Sequence, residues 1–274
     1  MRQVEKLGKG LRIYVILAAL FIMAPQAIVF VVAFSSASFV SFPPPGFSLR
    51  WFEQVLADPA FMRPMWNSVV LGLLATVFAA IVAVPAAIAL VRHPFRFSTA
   101  IQTFLLSPLS MPALILAIAL LFYLSAIGLG NTFTGLVIGH VVITLPYLLR
   151  TIVAVYASTD PRIEEASYTL GAPPLATFWH VTLPMLRPAL FAGGMFAFLI
   201  SFDEVAISLL LSNARSMTLP VAILGYLVNN YDPAVAAISV VKMIIVIIGL
   251  IALEYTYGLR NLTLPSNQEQ RRNG

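Results

Sequence analysis

The sequence of residues 66–91 is WNSVVLGLLATVFAAIVAVPAAIALV, and it contains no charged side chain. A helix needs about 20 apolar residues to cross a hydrocarbon core about 30 Å thick. In that core no water is available to the backbone, so a spanning segment of this kind must satisfy its own N–H and C=O groups as a helix. This stretch therefore predicts a transmembrane helix.

Similar apolar stretches recur along the chain, at about residues 11–34, 99–126, 133–157, 188–211 and 234–257. Of the 274 residues, 60% are hydrophobic and 10% are charged, which is too little polar surface for a soluble globule. The sequence predicts an all-α membrane protein of six transmembrane helices, with residues 1–274 forming a single transmembrane domain. Six spans leave no room for a nucleotide-binding domain, so we expect any ATPase to be a separate chain.

The basic residues fall unevenly on the two sides that six crossings would create. One side holds Arg2, Lys6, Lys9, Arg12, Arg92, Arg96, Arg150, Arg162, Arg187, Arg260, Arg271 and Arg272, whereas the other holds only Arg50, Arg63 and Arg215. Positive charge concentrates on the cytoplasmic side of membrane proteins. The pattern predicts a multi-pass membrane protein, surrounded by lipid, with both termini in the cytoplasm. Scattered cations of this kind do not indicate a nucleic-acid partner.

The sequence offers no catalytic or metal-binding cluster. It has no cysteine, and His93, His140 and His180 lie in three separate places without the paired spacing of a metal site. Neither a Ser-His-Asp arrangement nor a P-loop is present. We therefore expect no catalytic residue, no cofactor and no metal, and a protein that is not an enzyme.

The longest polar interruption, residues 158–186, falls between the fourth and fifth predicted spans. Asp160 is a favourable N-cap, and Glu164 and Glu165 place negative charge near the positive end of the helix that follows. Gly171 can adopt the left-handed conformation that ends a helix. Pro173–Pro174 can begin a second short helix, which we expect Pro184 to end. The segment thus predicts a cytoplasmic elbow of two short helices.

The spacing within this elbow is specific. The residues concerned are Glu165, Ala166, Ser167, Gly171, Val181, Leu183 and Pro184. They resemble the EAA loop of the binding-protein-dependent ABC importer permease family, with Ser167 in place of an alanine and Val181 in place of an isoleucine. The residues Ser201–Val205 and Gly46–Phe52 are most similar to the spermidine/putrescine branch of that family, although branches for ferric iron or phosphonate have similar sequences.

The resemblance implies a transport subunit of a type I importer in the bacterial inner membrane, driven by ATPase subunits and supplied by a periplasmic solute-binding protein. A second permease subunit, often a related but different chain, would complete the pore. In that family the elbow docks on the ATPase, so Glu165, Ala166 and Gly171 are expected to form the docking surface, while Leu183 and Pro184 fix its link to the fifth span. The alternatives are an amphipathic loop lying on the lipid surface and, for the whole chain, an ATPase-independent secondary transporter.

Three charged residues lie within predicted spans, namely Asp203 and Glu204 in the fifth and Lys242 in the sixth. Ionised groups at this depth cost several kcal/mol unless they are paired or hydrated. Adjacent residues of a helix point about 100° apart, so the two carboxylates are expected to serve different partners. Our hypothesis is that one carboxylate pairs with Lys242 and the other lines a hydrated route for a cationic solute; stabilisation of packing alone is the alternative.

Overall fold

The structure, a computed structural model, describes residues 9–257. The predicted cytoplasmic residues Arg2, Lys6, Arg260, Arg271 and Arg272 lie outside this range. Within it the chain forms helices and, apart from one isolated antiparallel bridge between Ser35 and Phe47, no β-structure. The prediction of an all-α chain rich in apolar helices is confirmed.

The helices follow one another without any sheet between them. In chain order they are α1 (Lys9–Ala33), α2 (Arg50–Ala57), α3 (Pro59–Arg92), α4 (Ser98–Leu106), α5 (Ala113–Ala126), α6 (Phe133–Ala157), α7 (Arg162–Thr169), α8 (Pro174–Thr177), α9 (Leu183–Asp203), α10 (Ala206–Leu211), α11 (Leu219–Asn229) and α12 (Ala234–Tyr257).

Five helical stretches of the described range are long and apolar enough to cross a bilayer: Gly10–Ala33, Pro59–Arg92, Phe133–Ala157, Pro174–Asp203 and Ala234–Ala252. A sixth crossing requires α4 and α5 to act as one span, and these two are bent by 111° at their junction. The count of six therefore stays a prediction.

The bend between α4 and α5 follows from the residues at the junction. A 3₁₀ turn, Ser107–Ser110, ends at Met111, whose backbone is extended (φ −94°, ψ 136°). Met111 precedes Pro112, and the proline ring disfavours the α conformation in the residue before it. A single straight span over residues 99–126 is thus replaced by two short helices at a steep angle.

The expected stop at Pro184 is wrong, because the helix continues through it. Five residues of π-helix, Phe178–Thr182, join α8 to α9, and the N–H of Leu183 bonds the carbonyl of Phe178. Pro184 then lies in the first turn of α9, where a missing N–H costs little. The elbow therefore runs directly into the fifth span, which begins at Pro174 rather than near residue 188.

The fifth span is also broken, whereas the sequence predicts a continuous helix over residues 188–211. α9 ends at Asp203, Glu204 has an extended backbone (φ −73°, ψ 123°), and α10 begins at Ala206. No proline or glycine marks this break in the sequence.

The chain divides into two compact units, which we describe separately. The first comprises residues up to Met62 together with Ile223–Ile245. In it, Trp51 of α2 is buried and donates its indole N–H to the Ala37 carbonyl (3.2 Å), while the Phe52 ring contacts Phe34. Phe61 packs against Tyr226 with ring centroids 5.1 Å apart.

The second unit, Arg63–Ala222 with the described residues from Val246 onward, contains two buried clusters. One cluster joins α3, α6 and α9, and its buried members are Ala79, Ala83, Val84, Ala87, Leu148, Leu149, Ile152, Tyr156, Leu186 and Ala189. The other joins α3, α5, α6 and α10 through Leu71, Leu116, Ala117, Leu124, Leu136, Val137, Ile143, Ile207 and Leu211. Because α6 contributes to both clusters and also contacts α4, α5, α9 and α10, it is the central helix of this unit.

α9 approaches α6 closely at Gly193. A Cβ atom placed there would lie 2.7 Å from Leu148 Cδ1 and 3.1 Å from Thr151 Cβ. Leu148 is fully buried, so its side chain has little space into which to move. Small residues at helix interfaces allow this close approach in membranes.

We expect Gly193→Ala to destabilise the protein by about 1–3 kcal/mol, the usual cost of overpacking a filled core. Thermal unfolding of the purified protein measures this. The neighbouring Gly194→Ala is a matched control, because its Cβ would meet only Thr76 Cγ2 at an ordinary 3.4 Å and the change gains helix propensity. Equal melting temperatures for the two variants would contradict the close approach at Gly193.

Candidate functional site

The turn after α7 is held by a specific set of backbone hydrogen bonds. The Ala172 N–H bonds the Ser167 carbonyl (3.1 Å), and the Gly171 N–H bonds the Tyr168 carbonyl (2.9 Å). This pair defines a Schellman motif, whose turning residue must be left-handed. Gly171 has φ +87°, so the prediction that it ends the helix in this conformation is confirmed.

The residues of the EAA segment, defined here as Glu165–Pro184, divide by exposure. Glu165, Ala166 and Gly171 are exposed. Ser167, Val181, Leu183 and Pro184 are half-buried. The Ser167 hydroxyl lies 3.0 Å from that of Thr177, which is buried, so this bond ties α7 to α8 across the turn.

Large apolar side chains are exposed around the turn. Leu170 is 88% exposed, Leu175 70% and Trp179 56%. We call the exposed set, Ile163, Tyr168, Leu170, Leu175 and Trp179, the elbow surface. Phe178 differs from these residues because it is half-buried and packs against the cluster formed by α3, α6 and α9. One apolar side of the elbow is therefore exposed. The other side packs, through Phe178, against the cluster formed by α3, α6 and α9.

A polar network around Glu164 fixes the base of the elbow. The Nε atom of Arg92 lies 2.8 Å from Glu164 Oε2 in an ion pair. The Tyr156 hydroxyl (2.8 Å) and the Thr182 hydroxyl both donate to Glu164 Oε1. Arg92 also donates to the Thr159 hydroxyl (2.8 Å) and lies over the Tyr156 ring, 4.3 Å from its centroid. The network joins the ends of α3 and α6, the start of α7 and the π-helical turn before α9.

Electrostatics favour the charged form of Glu164. Burial raises the pKa of this carboxyl, but hydrogen bonds from Thr182, Arg92 and Tyr156 outweigh the burial and hold the pKa below its ordinary value of 4.5. The ion pair is therefore intact at neutral pH.

A cavity of about 420 Å³ lies beside this network. The residues that line it include Arg92, His93, Glu164, Glu165, Tyr168 and Phe178. Among the described residues no three His, Cys, Asp or Glu side chains are grouped so that they could hold a metal ion.

The acidic residues of the fifth span lie at the break between α9 and α10. Glu204 Oε1 accepts the backbone N–H groups of Ala206 (2.8 Å) and Ile207 (3.2 Å), so its carboxylate caps α10. Asp203, the last residue of α9, is exposed. Lys242 is half-buried in the other compact unit, and its pairing with a carboxylate stays a prediction.

Comparison with known proteins identifies a family to which this chain is similar. Residues 72–257 match the family model described as the binding-protein-dependent transport system inner membrane component. This chain belongs to that family. It is a multi-pass inner-membrane permease subunit of an ATP-binding-cassette importer, a transport component that works with an ATPase and a binding protein, as the resemblance implied.

The permease is similar to proteins of known name over most of its length. It is 31% identical to the putrescine transport system permease protein PotI of Escherichia coli K12, over 88% of each chain. It is 30% identical to the spermidine/putrescine permease protein PotC of Haemophilus influenzae, over 79% of this chain and 84% of the relative. Its fold resembles a bacterial ABC transporter that imports the acidic polysaccharide alginate (TM-score 0.71, 21% identity, covering 94% of this permease and 99% of that chain).

The sequence interpretation missed the roles of Arg92, Tyr156 and Glu164. Arg92 was assigned only to topology and Glu164 only to the helix dipole. Arg92 and Glu164 are 72 residues apart, so no local spacing connects them. The two adjacent glutamates, 164 and 165, differ only in the side of α7 on which they lie, and that side is decided by packing.

We expect Glu164→Gln to destabilise the permease by about 2 kcal/mol, because it leaves the Arg92 guanidinium without its counter-charge and weakens hydrogen bonds to a charged acceptor. Thermal unfolding in detergent measures the change. Glu165→Gln is the matched control and is expected to leave the melting temperature unaltered, since Glu165 is exposed.

The same pair of variants tests the lowered pKa of Glu164. A carboxyl whose folded pKa is depressed contributes stability above its unfolded pKa and loses it as the pH falls through the folded value. The stability gap between wild type and Glu164→Gln should be constant near neutral pH and shrink once the pH falls below about 4.5. A gap that already narrows near neutral pH would contradict the assignment.

Proposed function

We propose that this permease carries a polyamine or a similar organic cation into the cytoplasm. In this proposal the elbow surface docks on the ATPase, and the break in the fifth span lies on the route of the solute. Both termini are cytoplasmic, as is the EAA segment. A second, related permease chain forms the other half of the pore, and a periplasmic binding protein delivers the solute.

The observation that carries the docking proposal is the combination of exposed apolar side chains and a rigid base. Leu170, at 88% exposure, is held at the tip by the Schellman turn, while Glu164 at the base is fixed by three side chains. A loop that only rests on lipid has no need of an ion-paired anchor. A partner that pushes on the elbow does need such an anchor. With the base held in place, the π-helical turn carries a displacement of the elbow directly into α9.

Charge at the break in the fifth span supports a cationic solute. The N-terminal N–H groups of α10, which otherwise favour anions, already bond the Glu204 carboxylate. Asp203 adds a second negative charge in an exposed position. An anionic solute such as a phosphonate is disfavoured beside two carboxylates, whereas a diamine is attracted. The names of the two polyamine permease relatives agree with this choice.

Coupling through the elbow predicts a specific sensitivity at Gly171. A Cβ atom there would have nothing within 4 Å, so a substitution acts through the backbone alone. We expect Gly171→Val to lower ATP-driven uptake by about tenfold, because a β-branched residue disfavours φ +87° by roughly 1–2 kcal/mol. Gly171→Asn, which tolerates this conformation, should retain most of the activity.

Uptake in cells, normalised to the amount of permease in the membrane, measures the Gly171 effect. Deletion of the ATPase gene is the companion control and should abolish uptake. Transport that survives that deletion, or that is equal in the valine and asparagine variants, would favour a secondary transporter.

The cation proposal is tested by uptake of labelled putrescine, spermidine, ferric iron and a phosphonate in cells with and without the gene. We expect loss of polyamine uptake on deletion. Asp203→Asn should raise the KM for putrescine several-fold, because one negative charge is removed from the proposed route. Loss of phosphonate or iron uptake alone would replace the polyamine assignment and leave the permease family intact.

A further inference from the structure

His140 is a fully buried polar side chain in the middle of α6, and each of its ring nitrogens has a partner. Its Nδ1 lies 2.7 Å from the Ser201 hydroxyl and its Nε2 lies 3.0 Å from the Ser208 hydroxyl. His140 and Ser208 have no exposed surface and Ser201 has 3%. Hydroxyl groups both donate and accept, so the neutral ring is satisfied in either tautomer.

The two serines lie on opposite sides of the break in the fifth span. Ser201 belongs to α9 and Ser208 to α10, so a single imidazole from α6 holds both halves. In a straight helix, residues seven positions apart are about 10.5 Å apart along the axis. A ring about 2 Å across with a hydrogen bond of about 3 Å at each end reaches about 8 Å. The bridge therefore suits a broken helix better than a straight one.

Packing beside His140 shows that α10 lies directly on α6. A Cβ atom at Gly139 would be 2.9 Å from Ile207 Cγ2 and 3.4 Å from Leu211 Cδ2. At the break itself, the Glu204 carboxylate caps α10. The direction in which α10 leaves the break is thus determined by one apolar contact, one cap and the His140 bridge.

We propose that His140 is a positioning residue for transport. By bonding Ser201 and Ser208 it sets the angle between α9 and α10, and thereby the place at which Asp203 meets the transported cation. The inference rests on the proposed function for the route of the cation past the break and for its contact with Asp203. It adds to the proposed function that His140, a side chain that does not contact the solute, controls how tightly the break binds that solute.

The test removes the two hydroxyls and keeps the histidine. In Ser201→Ala/Ser208→Ala the bridge is lost with little change in volume. The matched control is Thr144→Val, which deletes a fully buried hydroxyl from α6 whose hydrogen bonds run to α6 carbonyls and do not cross the break. Because the permease has no cysteine, it can be labelled by itself before assembly, with spin labels at Phe196→Cys on α9 and Leu209→Cys on α10, both exposed positions.

Two readouts are taken from the complete importer reconstituted in lipid. We expect the distance distribution between the labels to be narrow in the parent and in Thr144→Val, and broad in the double serine variant. We expect the KM for putrescine to rise by about three- to tenfold in the double serine variant, the scale of one or two neutral hydrogen bonds, with Vmax changed less than about twofold. A structural defect alone would instead lower Vmax and the amount of assembled complex.

The outcomes separate this inference from the proposed function. If the distances stay narrow in the double serine variant, or broaden without a change in KM, the positioning role is overturned. If putrescine is not transported, the same KM comparison with the solute that is taken up decides the role. If Asp203→Asn has no effect while the double serine variant raises KM, the positioning role stands and the proposed contact with Asp203 fails.

Discussion

A hydrocarbon environment offers no water to a broken helix, so a break within a membrane span must satisfy its backbone groups from the chain itself. At each break in the described spans, the chain itself meets the hydrogen-bonding needs of the backbone in a different way. At Met111 the proline that follows forces the bend and itself lacks an N–H group. At Phe178–Thr182 a π-helical turn keeps the backbone bonded, with Leu183 donating to Phe178. At Glu204 a side-chain carboxylate takes the N–H groups that α10 cannot satisfy by itself.

The central helix α6 connects the two places where function is proposed. Tyr156, near one end, bonds Glu164 at the base of the elbow, and His140 bonds both halves of the broken fifth span. The two residues are sixteen positions apart, about 24 Å along the helix. Between them α6 packs on α9, with a close approach at Gly193. In the proposed coupling, a displacement of the elbow reaches the break through α9.

Two adjacent glutamates of α7 have different surroundings and different roles. Glu164 is buried and holds the elbow to the ends of α3 and α6, whereas Glu165 is exposed beside the turn. The resemblance to the EAA loop begins at Glu165, whose exposure suits the proposed docking on the ATPase. The residue that fixes the base of the elbow is its neighbour Glu164, whose contribution depends on contacts that no linear motif encodes.

The sequence by itself determined the membrane environment, the all-helical class, the family and the left-handed turn at Gly171, because these depend on local hydropathy, spacing and backbone conformation. It also placed charge in the fifth span at Asp203 and Glu204. Only the tertiary structure decided that Pro184 lies inside a continuing helix, that the fifth span breaks after Asp203, and that Arg92 pairs with Glu164. The physical reason is that each of these depends on partners far away in the chain: Ser201 and Ser208 acquire their role only when α6 brings His140 between them.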